Sequence, residues 1–265
     1  MLSKSASQTK LASFEIVGTI AIVEIPRGFG KYAKTIAKRL MLQNPRITTV
    51  VKKIGGRRGT FRLQKVRILA GRRTTLTEAK ESGLRMLVDV AKVYFSPRLA
   101  NERLRIARAV KPGEHVLVMF SGVAPYPLVI ARYSRAERVY GIEINPVAHA
   151  LAVQNVALNK LGHKIVLFKG DVRKIIPQLW RKFDRIVMPL PKTGKGFLNL
   201  ALLVAKKGAT IHYYTFAHEN ELSAVAGDVE KVCASLKKRC KILQIVRAGQ
   251  HSPRVWRICV DFKVY

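Results

Sequence analysis

Acidic residues are scarce. Against 49 Lys and Arg the 265-residue chain carries 16 Asp and Glu, a formal net charge of +33 at pH 7. That balance excludes a cationic partner and favours a polyanion. Between Pro26 and Thr77 there is no acidic residue at all, while Lys and Arg occur there 15 times. The segment suits phosphates, although a solvated basic face has the same composition. An anionic membrane is the poorer match, because no basic amphipathic helix with large aromatics accompanies the charge. Cysteine is equally sparse. Cys233, Cys240 and Cys259 are odd in number, form no CxxC, and the histidines are scattered singly. Neither a disulfide framework nor a zinc site is supported, and no metal is expected. Long apolar runs are missing too: none reaches the roughly 18 residues that span a bilayer, so no membrane association is expected. The opening MLSKSASQTKLAS lacks the apolar centre of a secretory signal. The expectation is a cytoplasmic, monomeric protein whose residues 1–13 form a flexible tail.

What is present is enough apolar material, 48% of the chain, to bury a full core. FEIVGTIAIVEI alternates as a strand, KYAKTIAKRLML has helical spacing, and TTVVKKI, TFRLQKVRIL and LRMLVDV read as further strands. A small basic α+β domain over residues 14–95 follows from this, with Arg57, Arg58, Arg62, Arg72 and Arg73 as its phosphate-facing charges. In SPRLANERLRIARAV, Ser96 is a helix cap and Pro97 a first helical residue, predicting a connecting helix over 96–111. From His115 the rhythm becomes strand, loop, helix, ending in two strands joined only by a loop. That alternation predicts an α/β fold: a doubly wound, mostly parallel sheet over 96–265, one of whose last strands returns antiparallel.

In such a sheet a ligand sits beyond the carboxyl ends of the strands. After HVLVMF comes the small-residue turn Ser121-Gly122-Val123-Ala124-Pro125, which lets a ligand approach the backbone. After RVYGI comes Glu143, suited to accept from both hydroxyls of a ribose. After KIVLFKG comes Asp171, placed to accept from an adenine amino group; a helix cap is the alternative there. After DRIVM comes Pro189-Leu190-Pro191, which either stops the strand or walls a pocket, followed by Lys192 and Lys195, which meet phosphates or simply solvent. A small-residue turn with an acid about twenty residues on also describes dinucleotide dehydrogenases, but the GxGxxG spacing is absent.

Together DVAKVYFSPRLANERLRIA, MFSGVAPYPLVIA, GIEINPVAHALAVQNVALNKL, GDVRKIIP and MPLPKTGKGFL resemble the archaeal and eukaryotic type of tRNA guanosine-37 N1-methyltransferase and its relatives in wyosine biosynthesis. The resemblance runs over residues 14–265. It implies a class I S-adenosylmethionine methyltransferase fold, S-adenosyl-L-methionine as cofactor and the anticodon loop of tRNA as partner. Phe120, Ser121, Gly122, Val123, Pro125, Glu143 with Ile144, Asp171 with Val172, and Pro189 would hold the cofactor. Glu102 would be the general base, Arg62 and Arg103 would contact the target base with Tyr94 and Pro189 nearby, and Arg98 would join the phosphate-facing set as an RNA contact. An ion pair of Glu102 with Arg105 or Arg98 is the plainer alternative. Three positions depart from the family pattern: Val118 stands where an aspartate is usual, Ala124 where a glycine is usual, and Pro189 where the N1-methylating enzymes commonly carry Asn.

The resemblance leaves several activities open. N1 methylation of guanosine 37 leads because Glu102, Arg62 and Arg103 are all present. Methylation of a carbon in the tricyclic wyosine precursor, 4-demethylwyosine, follows closely, since Pro189 suits a bulkier base. Aminocarboxypropyl transfer from the same cofactor and a non-catalytic tRNA-binding role are further alternatives.

Overall fold

A computed structural model describes residues 13–56 and 59–265. The expected tail over 1–13, apart from Ser13, and the pair Arg57 and Arg58 lie outside the described residues. The chain forms two compact units, Met1–Pro97 and Arg98–Tyr265.

In the first unit FEIVGTIAIVEI is a hairpin rather than one strand: β1 (Ser13–Val17) and β2 (Ile20–Glu24) pair antiparallel. Gly18 makes the turn at φ 56°, and a Cβ there would meet the carbonyl oxygen of Glu78 at 2.3 Å, so only glycine fits. Helix α1 (Ala33–Gln43) buries Ala33, Ile36, Ala37 and Leu40, the one-face spacing of an amphipathic helix. Strand β3 (Thr49–Lys53) runs parallel to β2, and β4 (Val66–Gly71) completes the four-stranded sheet. Only the end of TFRLQKVRIL becomes β4, because Arg62 adopts φ 53° in a turn closed by its N–H on the Gly59 carbonyl. A separate ribbon of β5 (Leu76–Glu81) and β6 (Leu84–Asp89) turns through Ser82 and Gly83 at φ 48° and 67°, the paired positive φ of a tight hairpin turn. β5 went unread in the sequence because charged residues outnumber its apolar ones.

A 3-10 turn, Pro97–Leu99, begins on the last residue of the first unit, so Pro97 starts that turn and not the helix proper; α2 (Ala100–Ala109) follows in the second unit. Then come β7 (His115–Met119), α3 (Pro125–Tyr133), β8 (Arg138–Glu143), α4 (Pro146–Leu158), β9 (Ile165–Lys169) and α5 (Val172–Ile175). The remainder is β10 (Phe183–Met188), α6 (Leu198–Val204), β11 (Ala205–His218), α7 (Leu222–Ser235), β12 (Cys240–Ser252) and β13 (Val255–Val264). The sheet order is β12-β13-β11-β10-β7-β8-β9, with β13 antiparallel to both neighbours. This is the expected doubly wound sheet. Its order reverses between β7 and β10, the place at which sheets of this kind bind ligands. Leu117, Met119, Ile186, Met188, Ile211 and Phe262 are fully buried at its centre, and Val118, in place of the usual aspartate, is fully buried on the opposite face of β7. Among the described residues no helix is long and apolar enough to cross a membrane.

Candidate cofactor and catalytic site

The turn after β7 is built from left-handed backbone. Phe120, Gly122 and Ala124 have φ of 58°, 59° and 69°. Ala124 carries a Cβ in a conformation that costs a non-glycine residue about 1–2 kcal/mol; this is the physical reason glycine is the usual occupant. The turn is fixed by the Ser121 N–H on the Ile142 carbonyl at 2.8 Å and by the Asn155 amide on the Val123 carbonyl at 3.0 Å. Gly141 on β8 lets it lie close: a Cβ there would come within 3.0 Å of Ser121 Oγ. That hydroxyl is buried with no hydrogen-bond partner, an orphan that calls for a polar ligand.

Glu143 ends β8 beneath the turn. Its Oε2 accepts from the Gly122 N–H at 2.7 Å and its Oε1 from the Asn145 N–H at 2.7 Å. Burial pushes the carboxyl above its ordinary range, against the pull of the backbone donors. The Ile144 N–H adds a third backbone donor, which leaves one of the four lone-pair positions of the carboxylate to accept from a ribose hydroxyl. The residues present therefore fit the ribose of an adenosyl cofactor. Ile144 is half-buried beside it. Asp171 caps α5, accepting from the Arg173 N–H at 2.8 Å, and the Arg173 side chain holds its carboxyl below the usual range. The cap alternative is thus realised. Val172 is buried in the core, leaving its backbone for any ligand. Phe120 packs edge-on against Phe197, ring centroids 5.0 Å apart.

Pro189 follows β10 at the centre of a three-residue turn, in which the Leu190 N–H donates to the Met188 carbonyl at 2.8 Å. The fixed φ of proline suits that turn. Beyond it, Lys195 pairs with Asp228 at 2.9 Å while Lys192 is exposed. Both border a cavity of about 380 Å³ lined also by Pro191, Tyr213 and Thr215.

Tyr214 alternates with Tyr213 and Thr215 on β11, so it faces the other way. Met188 is in register with Tyr213, which sets Tyr214 level with Pro189 at the carboxyl end of the sheet. Its hydroxyl donates to Glu102 Oε1 at 2.5 Å. Glu102, buried on the first turn of α2, also takes Arg105 in a two-pronged pair, Nη2 on Oε1 at 2.7 Å and Nε on Oε2 at 2.8 Å. The ion-pair alternative is therefore present, with Arg105 as partner. Arg105 reaches on to Asp261 at 2.6 Å. Burial opposes charge on both, yet their mutual contacts win: Arg105 is raised and Asp261 held well below the carboxylate range, the latter also through His212. Arg103 is fully buried beside this set, its guanidinium 5.9 Å from the Tyr126 ring.

His212, Cys259 and Asp261 bring potential metal-ligand atoms within 4.8 Å of one another. Hydrogen bonding uses them otherwise. Arg185 donates to His212 Nε2 at 2.7 Å, so Nδ1 carries the proton and donates to Asp261 at 2.6 Å. The imidazole has no lone pair left for an ion. Arg185 is itself paired with Glu114 at 2.7 Å. Sequence reasoning missed Tyr214, His212, Arg185 and Asp261. The available signal was polar or charged residues inside strands whose neighbours are apolar, as in DRIVM, TIHYYTF and ICVDF.

The first unit holds Arg62 and Tyr94. Arg62 is half-buried in a pocket with Glu15, Lys53, Gln64 and Phe95. Arg72 and Arg73 are exposed just after β4, and Arg98 is exposed at the start of the second unit.

Residues 77–243 match the TRM5/TYW2 methyltransferase domain, and residues 1–74 match the TYW2 N-terminal domain. The tRNA (guanine(37)-N(1))-methyltransferase Trm5b of Pyrococcus abyssi is 36% identical over 95% of this chain and 74% of its own length. The tRNA 4-demethylwyosine(37)-methyltransferase Taw21 of Saccharolobus solfataricus is 33% identical over 94% of this chain and 92% of its own. The crystal structure of Pyrococcus abyssi Trm5b superposes with a TM-score of 0.88 at 34% identity, covering 100% of this chain and 78% of that one. Pyrococcus horikoshii TYW2 in complex with MeSAdo does so at 0.83 and 27% identity, covering 100% and 96%. With family domains, relatives and fold in agreement with the loop-borne site, the chain belongs to the TRM5/TYW2 methyltransferase family.

Proposed function

We propose that the chain is an S-adenosylmethionine-dependent tRNA methyltransferase acting at position 37, with N1 of guanosine as acceptor and Glu102 as general base. One observation carries the reading: a buried carboxylate hydrogen-bonded to Tyr214, the β11 residue level with Pro189, in the unit whose β7 turn and Glu143 form a ribose-accepting cradle. The β7 turn, Glu143 and the loop after β9 would hold S-adenosylmethionine, which would supply an electrophilic methyl for N1. N1 of guanine keeps its proton at neutral pH and is a poor nucleophile, so a carboxylate within hydrogen-bond reach must take that proton as the methyl transfers. Charge then builds on O6, and the Arg103 guanidinium, buried next to the base, is the group to stabilise it. For Arg62 and Tyr94 in the first unit, the resemblance alone supports contact with the RNA. The basic segment serves the phosphates, and a base at position 37 must leave its stack to reach any such pocket.

Pro189 favours a second reading, carbon methylation of the tricyclic precursor. Proline offers neither a side-chain amide nor an N–H to a guanine edge, and the Taw21 relative spans nearly the same length as this chain. Labelled S-adenosylmethionine with two tRNAs, one carrying plain guanosine 37 and one the tricyclic base, separates them. Labelled 1-methylguanosine is the expected product; label only in the tricyclic nucleoside would overturn N1 as the acceptor.

A further inference from the structure

The Glu102 carboxylate is unevenly occupied. Oε1 accepts from both Arg105 Nη2 and the Tyr214 hydroxyl, filling its two lone-pair directions, whereas Oε2 accepts only from Arg105 Nε. We infer that Tyr214 is a positioning residue for the base: by saturating Oε1 it directs the proton from the acceptor to the open lone pair of Oε2 and fixes the carboxylate's rotation. This rests on Glu102 being the base.

Three features support it. Tyr214 is 1% exposed, so no bulk water competes for its hydroxyl, whose single proton goes to Glu102. Burial pushes that phenol well above its ordinary range, so it keeps its proton and remains a donor throughout the cycle. Arg105 alone would leave the two oxygens equivalent, since its fork engages both; the asymmetry comes from tyrosine. Arg105 is in turn anchored on Asp261. When Oε2 takes the proton from N1 and Glu102 loses its charge, the Arg105 guanidinium still has a carboxylate partner and is not left as an unpaired buried cation.

The test is Tyr214→Phe, which keeps the ring that packs 6.1 Å from Tyr126. Expected are a roughly tenfold fall in kcat, the scale of one charge-assisted hydrogen bond, with an unchanged KM for tRNA. The double variant Glu102→Gln with Tyr214→Phe should be no slower than Glu102→Gln alone, since tyrosine acts only through Glu102. Cofactor binding by calorimetry reports whether each variant is folded. A wild-type kcat in Tyr214→Phe, a loss carried by KM instead of kcat, or losses that multiply in the double variant would overturn the inference. A fully active Glu102→Gln would instead remove the base itself, a different failure.

Discussion

Glu143 offers a quantitative test of the cofactor cradle. Its carboxylate receives two backbone N–H groups at 2.7 Å, from Gly122 in the β7 turn and Asn145 at the head of α4. Hydrogen bonds to ionised groups contribute about 1.5–3 kcal/mol each. Glu143→Gln keeps the shape but turns one end into a donor, so one of those N–H groups faces an NH2 and is left buried without an acceptor. The folded state should lose about 2 kcal/mol, which for a unit of this size lowers the thermal midpoint by roughly 4–8 °C. The amide nitrogen also cannot accept from a ribose hydroxyl. One lost charge-assisted bond corresponds to about 10- to 100-fold weaker S-adenosylmethionine binding, measured by isothermal calorimetry. Glu143→Ala should bind more weakly still, as both N–H groups lose their acceptor. Affinity of Glu143→Gln within twofold of wild type would refute the cradle.

Three more outcomes are expected. Glu102→Gln should depress N1 methylation by about 10²- to 10⁴-fold with tRNA affinity intact, and unaltered turnover in a single-turnover assay would exclude it as base. Charge removal at Arg72 and Arg73 should weaken tRNA binding and reduce the log–log salt slope by about 0.7–0.9 for each phosphate no longer neutralised; filter binding across salt concentrations checks it, and an unaltered slope counts against the basic face. Burial holds His212 below its ordinary value despite Asp261. The unfolded chain therefore binds this proton and the folded chain does not, so stability falls as pH drops below about 6.5, by up to about 1.4 kcal/mol per pH unit. Denaturant midpoints from pH 7 to 5 should show that slope, and His212→Gln should flatten it; an equal slope in the variant would assign the loss to other groups, such as His115 and His149 nearer the surface.

Much was legible in the sequence because it is local. The turn after β7, Glu143 and Asp171 announce themselves by following apolar strands, and period-3.6 and period-2 patterns separate α1 and α4 from β7 and β10. Boundaries slipped where a single left-handed residue redirects the chain, as Gly18 and Arg62 do. Asp171 illustrates the limit of position alone: the strand end was right, but the carboxylate's partners are the N-terminus of α5 and Arg173.

The sequence by itself determined the doubly wound sheet, the strand-end loops proposed to hold the cofactor and the basic segment, since hydrophobic periodicity and charge are properties of neighbouring residues. Only the tertiary structure decided what surrounds Glu102. Tyr214 lies 112 residues away and Asp261, at the far end of Arg105, lies 156 residues beyond it. These groups meet because β13 inserts beside β11 and α2 packs on α3. Such a buried network is set by strand order and register, which no local pattern encodes.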